Sequence, residues 1–171
     1  PAKSTAPSAD SKRWTLPPNP GGVSPEGSPL DATVVKNNLD AYRGRYPNRS
    51  STLFAFALDN IESVTTVDEM TVRVTTVVPW VAFPASLYSS GRLGILSQSQ
   101  LDAPVSACET EPVGTGPFRF VSWDRGESLK VVRNEQYWQK APDGKPYPYL
   151  NAIDFQQVAS SDERLAALAK C

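Results

Sequence analysis

Apolar residues recur along this chain in short bursts of two alternating periods, and each period predicts a kind of element. Asp31 suits an N-cap, and Val35, Leu39, Tyr42 and Tyr46 follow at helical spacing up to Pro47, which predicts a helix with one apolar stripe. Leu53-Phe54-Ala55-Phe56-Ala57-Leu58 reads as a short second helix. Residues 61–67 and 70–76 are rich in β-branched types and are separated by Asp68-Glu69. They predict a hairpin with Val72 and Val74 on one face. Trp80, Phe83, Leu87 and Tyr88 return to helical intervals, with Pro79 near the start and Pro84 in the second turn.

The second half repeats the strand signal. Phe118 to Trp123 alternates, Asp124-Arg125-Gly126-Glu127 turns, and Leu129, Val131 and Arg133 alternate back. Ile153 and Phe155 mark a further strand, and Ser160 with Glu163 sets a capping box ahead of Leu165 and Leu168. Residues 1–9 are small and polar and predict a flexible tail, ahead of the short apolar stretch Trp14-Thr15-Leu16. The segment from Pro17 to Pro29 carries five prolines and three glycines and predicts a loop. The sum is an α+β domain of short antiparallel hairpins with flanking helices.

Composition narrows the function. The 171 residues fit one compact domain with tails, or a piece of something larger. With 40% hydrophobic and 20% charged residues, a packed core is expected rather than disorder. Seventeen basic side chains against eighteen acidic ones leave a net charge of -1, which removes the electrostatic footprint of a nucleic-acid binder. No apolar run approaches the roughly 20 residues of a membrane-spanning helix, and no basic-then-apolar leader opens these residues. The sequence has no histidine, which excludes Ser-His-Asp triads, histidine acid–base work and most zinc sites.

Two cysteines, Cys108 and Cys171, lie far apart without CxxC spacing. A disulfide between them would close a loop of about 60 residues and contribute roughly 4 kcal/mol. The other reading leaves both thiols free, and the sequence does not decide between them.

Candidate chemistry is sparse. Pro112-Val113-Gly114-Thr115-Gly116-Pro117-Phe118 is the most distinctive string, yet a strand follows it. A phosphate loop needs GxxxxGK[ST] or GxGxxG and a helix N-terminus, so a structural turn is the favoured reading. Asp68, Glu69, Asp124 and Glu127 flank hairpin turns, where solvation explains them better than catalysis. Asn48-Arg49-Ser50 satisfies a glycosylation sequon that arises easily by chance. Asn134, Tyr137, Trp138, Tyr147 and Tyr149 form an aromatic-rich segment suited to stacking on a ligand or, more often, to satellite core packing. No nucleophile–base pair and no cofactor site emerges, so an enzyme is not expected.

The order of motifs carries a resemblance. Gly27-Ser28-Pro29-Leu30-Asp31-Ala32, Val34-Val35-Lys36 and Asn38-Leu39-Asp40 resemble the "dGtPltAeDVvfnldr" loop and helix of the family 5 solute-binding proteins of ABC transporters. Ile61-Glu62-Ser63-Val64, Val67-Asp68 and Thr71-Val72-Arg73-Val74 are similar to that family's hairpin, and Pro79-Trp80 with Phe83-Pro84 to the helix after it. Residues 112–118, then Trp123, Gly126, Val132-Arg133-Asn134 and Tyr137-Trp138, resemble its most recognisable stretch. Pro148-Tyr149-Leu150, Ile153 and Leu165-Ala166-Ala167-Leu168 resemble what comes next. Two departures stand out. Leu16-Pro17-Pro18-Asn19-Pro20 replaces the usual "LRpGv", which weighs against strand pairing there, and residues 104–111 have no fixed counterpart.

The resemblance implies a piece of a periplasmic-binding-protein-like fold (type II, cluster C), with residues 10–171 a partial first lobe that includes the extra subdomain of this family. It implies the substrate-binding component of an importer that captures a solute, above all short peptides, outside the membrane and passes it to a permease. A relative carrying nickel complexes or sugars is a second reading. A structural or regulatory envelope lipoprotein that has lost transport is a third. The full-length protein is expected to be an extracytoplasmic monomer, in the periplasm or on the cell surface, held by a lipid anchor. By position, Leu53, Phe54, Tyr88, Ser89 and Ser90 would border the peptide pocket, and Gly114, Thr115 and Gly116 would line the cleft or act near a hinge. All of these positions are equally open to plain packing or turn roles.

Overall fold

A computed structural model describes residues 5–18, 22, 24, 27–51, 55–89 and 93–169, without the side chains of 88, 89, 108 and 109. The chain runs β1 (Ala6–Pro7), β2 (Arg13–Leu16), α1 (Ala32–Tyr42), α2 (Ala55–Leu58), β3 (Ile61–Asp68), β4 (Thr71–Thr76) and α3 (Phe83–Ser89). It continues with α4 (Gln98–Asp102), α5 (Val105–Thr110), β5 (Phe118–Asp124), β6 (Ser128–Arg133), β7 (Ala152–Gln156) and α6 (Ser161–Leu168).

The strands make two antiparallel sheets, one ordered β1-β2-β4-β3 and one ordered β5-β6-β7. In the first, Trp14 pairs with Val74 and Leu16 with Val72, while Val64 pairs with Val74 from the other side. Paired residues share a face, and that face is buried against Ala32 and Leu39 of α1, Leu58 and Phe83. Phe83 is fully buried and anchors the aromatics, its ring 5.7 Å from Trp14 and 5.3 Å from Trp80.

Asp31 caps α1 as expected, its carboxylate accepting from Val34 N–H at 2.8 Å. Lys36 and Arg43 both pair with Asp40, at 2.7 Å and 3.2 Å. Arg43 also donates to the carbonyls of Ile61 and Glu62, tying the end of α1 to β3.

Four expectations are corrected. The helix projected to Tyr46 ends at Tyr42 because Gly44 adopts a left-handed φ of 67°. There Gly44 N–H donates to Ala41 and Arg45 N–H to Asp40, the Schellman arrangement that satisfies the last carbonyls. The helix after Pro79 starts only at Phe83, which places Pro84 in its first turn, where a missing N–H costs nothing. The tail expected over residues 1–9 includes a strand, since Ala6 and Pro7 pair with Thr15 and Trp14; an edge strand tolerates a proline. Finally, β2 pairs on both sides despite the prolines that follow it, because Pro17 and Pro18 fall just past its last residue and take no ladder bond. The unplaced segment 104–111 holds α5, and α4 had no clear signal either.

In the second sheet a bulge decides which face each residue takes. The register slips between Phe120 and Ser122, so Trp123 stands opposite Leu129, and Leu129 opposite Phe155. Plain alternation would have set Trp123 on the face opposite Phe120. The slip returns it to the same face. Two apolar rows result, Phe120-Val131-Ile153 and Trp123-Leu129-Phe155, and Trp123 and Phe155 are each about half exposed, at 49% and 53%. Helix α6, capped by Ser160 through Glu163 N–H at 3.3 Å, has no buried residue, and Leu165 and Leu168 are exposed.

Candidate functional site: an apolar cavity beside the glycine turn

The stripe of α1 that the sequence marks as apolar does not spend all of its surface on the core. Val35, Leu39 and Tyr42 also form one wall of a cavity of about 620 Å3. Pro84 and Leu87 of α3 contribute a second part, and Leu16, Pro18 and Leu30 a third. The segment Leu93–Leu96, the turn Pro112–Gly116, Thr5 and Tyr137 make up the rest of its described lining. No charged side chain lines the cavity among the described residues.

The glycine turn is held by buried amides rather than by its own sequence. Asn38, 1% exposed, donates from Nδ2 to the Leu96 carbonyl at 2.9 Å and accepts Leu96 N–H on Oδ1 at 2.8 Å. Its Nδ2 also reaches Val34 O at 2.9 Å. Leu96 in turn bridges to Gly114, and Ser97 N–H donates to Val113 O at 3.2 Å. Gln100, buried, accepts Val113 N–H at 2.6 Å. On the far side of the turn, Asn134 donates from Nδ2 to Gly116 O and from its backbone N–H to Pro117 O, both at 2.9 Å. Each amide is buried and satisfied, so the turn is fixed from both ends.

The glycines themselves are not forced by backbone geometry. Neither Gly114 nor Gly116 has a left-handed φ. A Cβ at Gly114 would meet Ile95 O at 3.5 Å and one at Gly116 would meet Phe118 O at 3.9 Å, both ordinary contacts.

Beside the cavity a polar cluster braces α4. Tyr46 OH donates to Asp102 at 2.6 Å, and Gln98 Nε2 donates to Tyr46 OH and to Asp102. The shared hydrogen bond pushes the Tyr46 hydroxyl above its usual range and holds the Asp102 carboxyl below its own. Arg49 gathers the carbonyls of Gln100, Leu101 and Ala103, a cation on the C-terminal carbonyls of a helix. Burial alone raises the Tyr137 hydroxyl.

Of the residues singled out from the sequence, the structure brings Gly114, Thr115 and Gly116 to the cavity wall. Tyr88 and Ser89 fall in the last turn of α3, the helix that lends Pro84 and Leu87. Their side chains, with Leu53, Phe54 and Ser90, lie outside the described residues. Cys108 belongs to α5, but its side chain and Cys171 also lie outside them. Asn38, Leu96 and Gln100, which hold the turn, are not marked as site residues by the sequence. The one available signal was a polar residue, Asn38, in helical register with Val34 and Val35 on a face expected to be apolar.

Comparison with known proteins follows the same architecture. The sequence matches the profile described as "Bacterial extracellular solute-binding proteins, family 5 Middle" over residues 1–170. A relative in Pectobacterium atrosepticum, named glutathione-binding protein GsiB, is 32% identical over 94% of this chain and 30% of its own length. Among solved structures, MoaA of A. tumefaciens R10 with mannopinic acid is 27% identical with a TM-score of 0.83, across 99% of this chain and 32% of that one. NikZ of Campylobacter jejuni with Ni(L-His) shares the fold, with a TM-score of 0.82 at 23% identity across 99% of this chain and 32% of that one. The chain thus spans about a third of the length of these relatives, of which GsiB and MoaA are named as binding proteins. An α+β piece of a periplasmic-binding-protein-like fold, it belongs to the bacterial extracellular solute-binding proteins of family 5.

Proposed function

We propose that residues 10–171 form part of the first lobe of an ABC-importer receptor, which captures a solute outside the membrane and delivers it to a permease. The observation that carries this reading is the cavity of about 620 Å3, within the roughly 300–1,000 Å3 range of small-molecule sites, walled in part by the glycine turn. Short peptides are the proposed solute class. Main-chain hydrogen bonds give such ligands affinity while roomy apolar pockets tolerate their side chains, and the GsiB relatives are named for glutathione, itself a tripeptide. In this reading Gly114, Thr115 and Gly116 border the ligand, with Leu53, Phe54 and residues 88–90 beside them. The half-exposed Trp123 and Phe155, in one row across the sheet with Leu129, support a lobe completed by further chain. Extracytoplasmic placement follows from the family, and a lipid anchor and a monomeric state belong to the same proposal.

A thermal-shift screen of the full-length protein tests it, using short peptides, glutathione, nickel with histidine, and oligosaccharides. A ligand at a hundred times its Kd stabilises its target by about 2.7 kcal/mol. Stabilisation by peptides supports the receptor reading. Stabilisation by nickel or sugars alone moves the solute class, and no shift with any solute points to an envelope protein without transport.

A further inference from the structure

We propose that the outer face of the first sheet docks an extended, acidic segment of a partner protein on the pair Arg13 and Arg73. The inference goes beyond solute capture and holds whichever solute is bound. The two sheets differ in what they turn outward. In the second, Trp123 and Phe155 leave an apolar row half exposed, as a surface that takes cover does. In the first, Trp14, Leu16, Val72 and Val74 are buried on the inner face, and the alternate positions of β2 and β4 are all polar. Thr15, Thr75, Ser63 and Thr65 share the outer face with the two arginines. Further chain packed there would have to desolvate all of these polar groups, so this face stays in water in the complete protein.

The register sets the arginines together. Arg13 lies opposite Thr75 and Arg73 opposite Thr15, which makes them diagonal neighbours on adjacent strands, about 7 Å apart at Cβ. Both are exposed, and among the described residues no ion pair reaches either one. Asp10, in the turn ahead of β2, accepts from Ser8 Oγ and Lys12 N–H; those bonds, ahead of the charge of Arg13, hold its carboxyl below the usual range. Like charges so placed repel, and carboxylates held over them relieve the repulsion. Alternate side chains of an extended chain stand about 6.6–6.8 Å apart on one side, close to that diagonal, so an acidic-X-acidic segment sets one carboxylate over each guanidinium. An anionic membrane fits less well, because two cations attract it weakly and the chain carries a net charge of -1.

The test is methyl NMR of the full-length protein labelled at threonine, titrated with an octapeptide of alternating Glu and Thr. The Thr15, Thr65 and Thr75 resonances are expected to move at low salt and to return when the salt is raised. An octapeptide of alternating Gln and Thr is expected to leave them still. Arg13→Gln and Arg73→Gln are each expected to weaken the acidic peptide about two- to fivefold, and the double variant to abolish the shifts. Movement confined to Thr5 and Thr115, which line the cavity, means that the peptide binds as a solute, and it overturns the docking face. Shifts that survive the double variant overturn it as well. Movement with phosphatidylglycerol vesicles but not with the acidic peptide replaces the protein segment by a membrane surface, and no movement with either rejects the proposal.

Discussion

The side-chain amide of Asn38 holds both backbone polar groups of Leu96, its Nδ2 on the carbonyl at 2.9 Å and its Oδ1 on the N–H at 2.8 Å. A residue on α1 thereby stands in for a neighbouring strand and hands the fixed segment on to Gly114. Removing the amide leaves two part-buried backbone groups without partners. Asn38→Ala is therefore expected to cost about 1–3 kcal/mol, read as a lower denaturation midpoint. Faster hydrogen exchange at Leu96 N–H is the local signature, and an unchanged rate there would contradict the assigned role.

The end of α1 depends on one glycine for a different reason. Gly44 combines φ 67° with a close approach in which an added Cβ would stand 2.9 Å from Ser51 N. Gly44→Ala is expected to destabilise by about 2 kcal/mol or more, from the left-handed conformation and the overpacking together. Gly27, with φ 87° and nothing within 4 Å, is the control. Gly27→Ala carries only the conformational part, about 1 kcal/mol, so equal losses from chemical denaturation would refute the steric half.

How legible was this in the sequence? Elements whose code is local came through. The Asp31 and Ser160 caps, the hairpin around Asp68-Glu69 and the strand at Ile153 and Phe155 all stand where the pattern predicts them. What failed depended on contacts between distant residues or on a single odd backbone angle. The end of α1 turns on Gly44, and apolar spacing running on to Tyr46 hid it. The face of Trp123 turns on a bulge that alternation cannot reveal. The cavity was half legible: the stripe Val35-Leu39-Tyr42 and the string 112–116 were each visible, but their meeting needs Asn38 and Asn134, polar residues whose partners lie 58 and 18 positions away.

The hydrogen bond between Tyr46 and Asp102 predicts a pH window. Asp102 is held below the ordinary carboxylate value of 3.8, so its contribution is present above about pH 4 and is lost as pH falls through the folded value. Tyr46 is raised above 10.0, so its contribution is present below about pH 10 and is lost as pH rises through the folded value. Both groups lie near solvent, so the effect is small. Thermal midpoints of the protein and Tyr46→Phe should differ by a constant one or two degrees, roughly, between pH 5 and 9 and converge at both ends. A difference independent of pH would show that packing of the ring, not the bond, is responsible.

The apolar rows of the second sheet predict how these 171 residues behave by themselves. With Trp123 and Phe155 about half exposed and Leu165 and Leu168 more so, the isolated chain should self-associate at micromolar concentrations, as exposed apolar patches do. The double substitution Trp123→Lys with Phe155→Glu should lower that association in sedimentation without moving the melting midpoint by more than a few degrees. A monodisperse wild-type chain would argue against a surface made to be covered.

Ligand titration of the full-length protein beside the 171-residue chain tests the central claim most directly. The account predicts that an Ala-Phe-Ala tripeptide binds the full-length protein with a micromolar or tighter Kd and binds the isolated chain at least a hundredfold more weakly. Equal affinity for both would place the whole site within these residues, and no binding by the full-length protein to any short peptide would contradict the peptide-receptor reading itself.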